Sequence, residues 1–501
     1  MPRTNPPQRF SQVNGCQRNL AIIGVGLHAT KTYLPTLAQH KLVRVPFVVE
    51  LDERLDATRE RLAPFRSTNF SPEVVGIPGG SISLTPSVVA RLDSLVDEHD
   101  LDALIVSTGP DTHGEYLRWG VQRGLSILVD KPVLGGPGAT VDPEVAPALL
   151  KEFDQIVALV DARPDILVSV ATQRDWHPGF RYLREIIAEA SERFQCPVTG
   201  IGSSHDDGQL RLPHELGSIA YHGYMDGMGK AFHSLYHELR VQADIIGVAA
   251  DNAGMSYNEI VTTAATVRPR GFLRSLPRPV WQALFGADLW ADTCPEADAE
   301  MLERYRGFGE IDIAATTSFV TEGDTTLVAT VEGRHNSFSR RTWLEARPDL
   351  YKCAGRTKHE GHTIHVGPFM TVHVTSWQAK DRHEHNDSSD YEPGGNSHFT
   401  LDIFRNADWW PAGTPVMETI DAAKIAANAG LSSDQLLMSQ AKSSMLLNFV
   451  DCLTGRRPIH ANPSPITGHR LAMHLLLQIA ESAATSAPVR APVSALWPGP
   501  R

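Results

Sequence analysis

Lys131 stands at an unusual place in the sequence, between a short apolar run and a proline in ILVDKPVLGG (127–136). Strands of parallel sheets are expected to be apolar throughout, because both faces of such a sheet are buried. An ammonium group at a strand end therefore needs another explanation. In open sheets of this kind, ligands bind outside the carboxyl ends of the strands. The position predicts that Lys131 points into a ligand crevice.

A glycine-rich turn about a hundred residues earlier supplies a second feature that could bind a ligand. Gly24, Gly26 and Ala29 follow an apolar strand in NLAIIGVGLHATKTYLPTLAQH (19–40) and fit the pattern G-x-G-x-x-(G/A). The first glycine allows a tight turn, the second lets a pyrophosphate approach the backbone, and the small third residue lets helix and strand pack closely. The diphosphate then lies on the helix N-terminus. The pattern predicts a dinucleotide-binding turn.

Glu50 ends a second strand, VRVPFVVELD, at about the distance where such turns have an acidic partner. We expect its carboxylate to hydrogen-bond the adenosine ribose hydroxyls; the alternative is a solvated carboxylate at a strand end. Because an acid repels a 2′-phosphate, Glu50 favours NAD over NADP. Arg54 and Arg59 follow closely and leave NADP possible.

These residues need a parallel sheet to bring them to one edge. The stretch 101–132 predicts a strand, the loop GPDTH, a helix and a further strand. Strands that alternate with helices are typical of a doubly wound parallel sheet. STGPDTH and Asp130-Lys131-Pro132 then end two strands on the same edge as the glycine turn.

At this point the sequence resembles the glucose–fructose oxidoreductase/inositol dehydrogenase (Gfo/Idh/MocA) family. Thr108 and His113 match its Thr-x-x-x-x-His loop, and Asp130-Lys131-Pro132 matches its Glu-Lys-Pro strand end with aspartate in place of glutamate. Residues 168–187 are similar to its strand, Gln/Asn-Arg loop and helix. The resemblance covers most of residues 19–490.

The resemblance implies an α/β Rossmann domain followed by an α+β domain with an open, mainly antiparallel sheet covered by helices. Its domain plan is a flexible leader (1–18), the Rossmann domain (19–165), a substrate and oligomerisation domain (166–490) and a flexible tail (491–501). Alternating β-branched residues around a Glu-Gly-Asp turn predict a hairpin within 311–341. The chain is long for the family, and two segments of little periodicity, about 250–308 and 342–395, are interpreted as insertions.

The resemblance also implies which residues line the nucleotide site. The cofactor is expected to be NAD, with NADP possible. The residues assigned to cofactor binding are Gly24, Gly26, Leu27, His28, Ala29, Glu50, Ser107, Thr108, His113, Asp130, Lys131 and Pro132.

A family helix with Asp-x-x-x-His is similar to GMGKAFHSLYHELRVQADIIG (227–247). His237 falls on the histidine, whereas the aspartate position holds His233. Residues four apart share a helix face, so both imidazoles are expected to face the nicotinamide. His237 suits the role of proton acceptor because its ordinary pKa lies near neutral pH. Lys131 suits stabilisation of an alkoxide-like oxygen.

The resemblance implies a substrate site made of Lys131, Arg174, His177, His233 and His237. Each assignment has an alternative. Lys131 could be a structural lysine at a strand end, and His237 a core histidine. His233 could serve packing, and the loop with Arg174 and His177 could be solvated.

Histidines cluster in KHEGHTIH (358–365) and DRHEHND (381–387), and such clusters can form a metal site. The spacing of His359, His362 and His365 is compatible with partial zinc ligation, and His383 and His385 alternate as on a strand. However, HExxH is absent and no cysteine pairs with these residues. A solvated, histidine-rich loop is favoured, so no metal site is predicted.

The resulting prediction is an NAD(P)-dependent oxidoreductase that transfers a hydride between nicotinamide and a hydroxyl or ketone carbon of a sugar, cyclitol or related polar metabolite. The alternatives are redox-neutral NAD chemistry such as glycoside cleavage or epimerisation, and imine reduction in a natural-product pathway. A non-catalytic dinucleotide sensor is disfavoured, because both the lysine and the histidine remain.

The bulk composition restricts the partners. The net charge of −12 argues against a nucleic-acid or anionic-membrane surface. No apolar run approaches the roughly 20 residues of a membrane span. The N-terminus lacks the apolar core of a secretory signal, and five dispersed cysteines fit reduced thiols in a cytoplasm. By analogy with the family, the chain is expected to form a homodimer or homotetramer through its C-terminal sheet.

Overall fold

The computed structural model describes residues 17–79, 83–219, 222–294, 296–339, 341, 356–379, 397–431 and 437–493. Most of the leader, the end of the tail and residues 383 and 385 therefore lie outside the described residues. The chain divides into two compact units. The first unit comprises Met1–Leu134, Lys151–Trp176 and Met438–Arg470. The second unit comprises Gly135–Leu150, His177–Leu437 and Leu471–Arg501.

The regular elements are numbered here along the chain. The described strands are β1 (Arg18–Ile23), β2 (Val43–Arg44), β3 (Phe47–Leu51), β4 (Glu73–Ile77), β5 (Ala103–Val106), β6 (Ser126–Val129), β7 (Val168–Val170), β8 (Gly200–Gln209), β9 (Glu259–Val267), β10 (Asp312–Thr321), β11 (Asp324–Asn336), β12 (Thr357–Val366), β13 (Met370–Ala379), β14 (Ser397–Arg405), β15 (Met417–Asp421) and β16 (Val489–Pro492). The described helices are α1 (Leu27–Thr32), α2 (Leu34–Leu37), α3 (Leu55–Leu62), α4 (Pro86–Glu98), α5 (His113–Gln122), α6 (Val145–Asp161), α7 (Pro178–Phe194), α8 (Tyr236–Ala253), α9 (Pro269–Ser275), α10 (Arg278–Phe285), α11 (Ala287–Thr293), α12 (Asp298–Arg304), α13 (Ala422–Asn428), α14 (Leu437–Leu453) and α15 (Arg470–Thr485).

The first unit contains the predicted parallel sheet. Its strands lie in the order β4-β3-β1-β5-β6-β7, with β2 paired to β1, and every described pairing is parallel. Strands β5 and β6 are buried along their whole length, as expected for a sheet covered on both faces. The carboxyl ends of β1, β3, β5 and β6 therefore meet at one edge.

A helix from late in the chain completes the core of the first unit. Met445, Phe449 and Val450 of α14 belong to the same buried cluster as Leu20 and Ile22 of β1. Ser464 also accepts a hydrogen bond from the Val170 backbone N–H at 2.9 Å, which extends the contact to β7. The Rossmann part of the molecule is thus not a continuous stretch of sequence, and the observed units divide the chain differently from the sequence-based plan.

The second unit is built on a mixed, mostly antiparallel sheet. Its described strands lie in the order β15-β14-β13-β12-β8-β11-β10-β9-β16, and only the β8–β11 pairing is parallel. The predicted hairpin is confirmed as β10 and β11, joined at Glu322 and Gly323, which both have positive φ. The expected two-domain fold class is confirmed.

The two segments interpreted as insertions contain regular structure. The first includes β9 and the short helices α9–α12, which pack around the buried Trp281 and Trp290. Helices of seven or eight residues make only about two turns, too few for a clear periodicity. In the second segment, β12 and β13 are paired strands of the sheet. The sequence of these strands does not show the usual alternation of apolar and polar residues, because the polar residues Glu360, His362 and Ser376 occupy buried positions.

Candidate functional site

The glycine turn has the backbone that its sequence predicts. Gly24 has φ +85°, and a Cβ there would lie 2.7 Å from the carbonyl oxygen of Ser107 at the end of β5. Only glycine fits both the conformation and the contact. Gly26 precedes α1 as its N-cap, and Ala29 is fully buried where the helix faces β1. Leu27 and His28 are exposed in the first turn of α1.

Glu50 is a buried carboxylate that fixes the glycine turn. It is 7 % exposed and accepts hydrogen bonds from the backbone N–H groups of Val25 and Leu51, both at 3.0 Å. The solvated alternative for Glu50 is therefore wrong. The Val25 carbonyl accepts a hydrogen bond from Arg61 at 2.9 Å. The backbone N–H and the backbone carbonyl of Val25 are thus both hydrogen-bonded to side chains, which fixes the turn from two sides.

Sequence reasoning missed Arg61 because a helical arginine close to other charges usually reads as a solvated residue. The two arginines that it did single out lie elsewhere. Arg54 is exposed, and the exposed Arg59 pairs with Asp56 at 2.7 Å.

Asp130 links β5 and β6 at the edge that carries the glycine turn. Its carboxylate accepts hydrogen bonds from the Ser107 hydroxyl at 2.6 Å and from the Tyr33 hydroxyl. His28 Nε2 lies 3.7 Å from the same carboxylate. Burial and the charge of Asp130 raise the pKa of Tyr33 well above its ordinary value. Tyr33 carries no motif signal in the sequence and was missed.

His113 is a buried link between two loops of this edge. Its Nδ1 lies 3.0 Å from the Pro132 carbonyl and its Nε2 lies 3.2 Å from the Thr108 carbonyl. Burial lowers the pKa of His113. A neutral imidazole donates from one nitrogen only, so one of these contacts is a hydrogen bond and the other a close approach. The Thr108 hydroxyl accepts a hydrogen bond from the Thr112 hydroxyl at 2.7 Å.

Lys131 follows Asp130 directly after β6 and is partly exposed. Its peptide bond to Pro132 is cis. Within the first unit, the carboxyl ends of adjacent parallel strands thus carry the glycine turn, Glu50, Ser107 and Lys131. The edge combines a close-approach turn, a fixed carboxylate and a lysine, which suits a dinucleotide and a polar substrate.

The second unit holds the two candidate catalytic histidines in one continuous helical segment. His233 lies in a π-helical turn, Ala231–Leu235, which leads directly into α8. His237 is 7 % exposed in the first turn of α8. A π-turn adds a residue to the helical repeat, and such turns are frequent at functional sites. The strict i, i+4 alignment that the sequence suggests therefore does not apply across this turn.

The ring contacts of His233 are made with histidines distant in sequence. Its ring centroid lies 4.7 Å from that of His222 and 5.4 Å from that of His335. One ring nitrogen from each of the three residues lies within 4.8 Å of the other two. Sequence reasoning missed His222 and His335 because no spacing links a loop residue to a strand residue about a hundred positions later.

A buried charge network lies beside this histidine group. Asp207 on β8 accepts hydrogen bonds from Lys230 at 2.6 Å, from Ser234 at 2.7 Å and from Arg356, and His335 Nε2 lies 3.1 Å from it. Burial alone would raise the pKa of Asp207, but the adjacent cations hold it well below its ordinary range. Burial lowers the pKa of His335 to about 4, so its imidazole is neutral at pH 7.

The other sequence-predicted residues have structural surroundings. Arg174 is 5 % exposed in a 3₁₀ turn after β7, in the first unit. His177 in the second unit caps α7 by accepting a hydrogen bond from the Gly179 N–H at 3.2 Å, and its ring packs against Phe180 and Phe399. The solvated alternative for this loop is therefore wrong.

The first histidine-rich stretch is strand β12, not a loop. Because side chains alternate along a strand, His362 faces the core, where it contacts Ser203 at 2.8 Å, while His359 and His365 point to the other face. These three residues therefore do not share a site. The stretch with His383 and His385 lies outside the described residues.

The nucleotide-binding part of the chain matches a known family. Residues 18–148 match the Gfo/Idh/MocA model, described as an oxidoreductase family with an NAD-binding Rossmann fold. This match covers the nucleotide-binding part of the chain, about a quarter of its 501 residues. The predicted NAD-binding Rossmann fold of an oxidoreductase family is confirmed for these residues. No curated protein matches the chain.

Solved structures share the fold along almost the whole chain. An oxidoreductase from Agrobacterium radiobacter, in complex with NAD+, L-tartaric acid and magnesium, has a TM-score of 0.54 at 13 % identity and aligns over 94 % of this chain and 98 % of its own. Levoglucosan dehydrogenase in complex with NADH and L-sorbose has a TM-score of 0.54 at 13 % identity, over 95 % and 98 %. Aldose–aldose oxidoreductase from Caulobacter crescentus, complexed with glycerol, has a TM-score of 0.51 at 13 % identity, over 95 % and 100 %.

Proposed function

We propose that the chain oxidises a hydroxyl carbon, or reduces the corresponding ketone, of a sugar, a cyclitol or a related polar metabolite. The observation that supports this most strongly is the edge of the first unit, where Lys131 ends the strand next to the one that packs on the glycine turn. The fold relatives named above were crystallised with polyhydroxylated compounds. These resemblances favour the substrate class and leave the individual substrate open.

Glu50 and the glycine turn are assigned to NAD binding. The first amide groups of a helix have no acceptor within it, and α1 begins at Leu27, directly after Gly26. A diphosphate placed there meets those amides without a side chain in the way. Glu50 already accepts two backbone hydrogen bonds, and a carboxylate has about four acceptor positions, so it retains capacity for ribose hydroxyls.

Lys131 is assigned to the reacting oxygen, and His237 keeps the proton-accepting role that the family resemblance implies. When bound, NAD accepts or returns the hydride. Oxidation of an alcohol also requires that its hydroxyl proton leaves, and His237 is the proposed acceptor. The ammonium of Lys131 would stabilise the alkoxide character of that oxygen. Asp130 is assigned to positioning, because its bonds to Ser107 and Tyr33 fix the backbone immediately before Lys131.

The first experiment measures NAD and NADP binding to the purified full chain. We expect NAD to bind more tightly, and Glu50→Gln to weaken NAD binding by about tenfold, or roughly 1.4 kcal/mol. Glu53→Gln is the matched control, since Glu53 is an exposed acid three residues later. Equal affinity in wild type and Glu50→Gln would contradict the role of Glu50. No binding of either nucleotide would contradict the whole assignment.

The second experiment tests the chemistry on a panel of sugars, cyclitols and sugar acids. We expect NADH formation with at least one member, and a loss of about 100-fold or more in kcat for Lys131→Met and for His237→Gln. The bound nucleotide is also identified after purification without added cofactor. Nucleotide that stays bound, with no net NADH formation, would favour redox-neutral chemistry instead.

A further inference from the structure

Three histidines from separate parts of the second unit converge on one point. His222 precedes the helical segment, His233 lies in its π-turn, and His335 lies on β11. Their rings are within 15–18° of parallel, and one nitrogen from each lies within 4.8 Å of the others. The described residues contain one group of three or more histidine, cysteine, aspartate or glutamate side chains with the spacing of metal ligands, and it is this group of three histidines.

The three donor atoms are imidazole nitrogens, and this donor type favours particular metals. Neutral imidazole nitrogens suit zinc and the divalent transition metals, whereas magnesium and calcium prefer oxygen ligands. Zinc is bound by histidine nitrogens at about 2.0–2.1 Å, and catalytic zinc sites keep three protein ligands and one open position. In a tetrahedral site the ligand nitrogens lie roughly 3.4 Å apart. Binding therefore requires the nitrogens to approach by about an ångström and the near-parallel rings to rotate until their in-plane lone pairs meet at the ion.

A carboxylate orients one of the three rings. His335 Nε2 lies 3.1 Å from Asp207, and its Nδ1 is 2.9 Å from the Tyr224 hydroxyl. Ligating histidines usually direct their second nitrogen at a carboxylate, which fixes the tautomer and raises the basicity of the other nitrogen. Asp207 itself is held by Lys230 and Arg356. Nδ1 of His335 is thus the nitrogen that would bind an ion, which would replace its hydrogen bond with the Tyr224 hydroxyl.

The surrounding charge indicates what the open position would hold. Arg211 lies with its guanidinium carbon 5.0 Å from the centre of the Tyr224 ring. Three neutral imidazoles leave the charge of a divalent ion uncompensated. An ion close to Arg211 is therefore stabilised when its fourth ligand is an anionic oxygen, such as hydroxide, an alkoxide or a carboxylate.

We infer that His222, His233 and His335 bind one divalent transition-metal ion, with zinc the expected metal, and leave a fourth coordination position for an anionic oxygen. His233 occupies the position where the family helix carries aspartate, so the replacement supplies a nitrogen ligand where the family has an acid. The inference concerns the second unit alone and does not depend on the proposed hydride transfer.

The test uses the untagged full chain, stripped with a chelator and titrated with Co²⁺, which reports tetrahedral nitrogen ligation through its visible absorption. Metal content after reloading with Zn²⁺ is measured in parallel. We expect one equivalent of either ion and an increase in melting temperature. His222→Gln and His233→Gln each remove one imidazole ligand and are expected to weaken binding by about 100-fold or more. His365→Gln, an exposed histidine on β12, is the matched control and is expected to bind like wild type.

Three results of the metal-binding measurements would overturn the inference. These are the absence of Co²⁺ and Zn²⁺ binding to wild type, unchanged binding in both ligand variants, and loss of binding in His365→Gln. Circular dichroism checks that His222→Gln is folded; His222 lies outside the regular elements, so the fold should persist. Stabilisation by phosphate or tartrate without any metal would identify an anion site instead and would also overturn it. NAD binding is measured on the same samples, so that failure of the nucleotide site is recognised separately.

Discussion

At the scale of single residues, Asp130 connects two segments of the nucleotide-binding edge. Its carboxylate accepts hydrogen bonds from Ser107, directly after β5, and from Tyr33, directly after α1. The carboxylate therefore ties the glycine-turn segment to the strand end that carries Lys131. Asp130 therefore positions the backbone at the edge where the nucleotide is expected to bind.

Tyr33→Phe tests that organisation, because it removes only the hydroxyl. Hydrogen bonds to charged groups contribute about 1.5–3 kcal/mol, and we expect a loss of that size in the free energy of unfolding measured with urea. Tyr257→Phe is the control, since the buried Tyr257 hydroxyl has no hydrogen-bond partner among the described residues. Equal effects of the two substitutions would show that the bond to Asp130 contributes nothing.

At the scale of elements, β8 supplies a carboxylate, Asp207, which connects the segment before α8 to the sheet of the second unit. Asp207 on β8 binds Lys230 and Ser234, which precede α8, and Arg356 at the start of β12. Asp207 and Lys230 are both fully buried. Breaking one partner of a buried ion pair is costly, because the remaining charges stay in a low-dielectric interior.

Asp207→Asn is therefore expected to lower the free energy of unfolding by about 3–5 kcal/mol at pH 7. Asp206→Asn, its neighbour on the opposite face of the same strand, should change it by less than about 1 kcal/mol. The folded pKa of Asp207 lies well below its ordinary value of 3.8, so its ionised form stabilises the fold above that pH. The difference between wild type and Asp207→Asn should stay constant from pH 8 to about pH 5 and shrink as the pH falls below about 4. A difference that grows on acidification would contradict the assignment.

At the scale of the whole molecule, one face of the second unit's sheet carries exposed apolar side chains among the described residues. Val328 on β11 is 42 % exposed and Phe404 on β14 is 37 % exposed, both pointing away from the buried face. Among the helices that the structure describes, none is long and apolar enough to cross a membrane. The family resemblance predicts that this face pairs with a second copy of the chain.

Val328→Lys tests the predicted homodimer or homotetramer by placing a charge in the middle of that face. We expect the mass measured by light scattering after size exclusion to fall toward 54.9 kDa, the mass of one chain. Leu284→Lys, at a 62 % exposed position of α10 outside the sheet, should leave the mass unchanged. A monomeric wild type, or a response only to Leu284→Lys, would contradict the prediction.

The sequence by itself determined the nucleotide-binding edge. The glycine turn, Glu50 and the lysine motif each lie within one strand–turn–helix segment, where local spacing fixes geometry. The same holds for the hairpin of β10 and β11, whose turn residues and alternation are local signals. These features depend on neighbours in sequence, so they could be read from it.

Only the tertiary structure decided which distant residues meet. Several of these contacts join residues that have no fixed spacing in the sequence. They are Arg61 with the backbone of the glycine turn, Tyr33 with Asp130, and His222 and His335 with His233. They converge because strands far apart in the chain pair side by side and because a π-turn redirects His233. Strands β12 and β13 were missed for a related reason, since polar residues fill inward positions whose burial depends on partners from other elements. Local pattern carries no information about such partners.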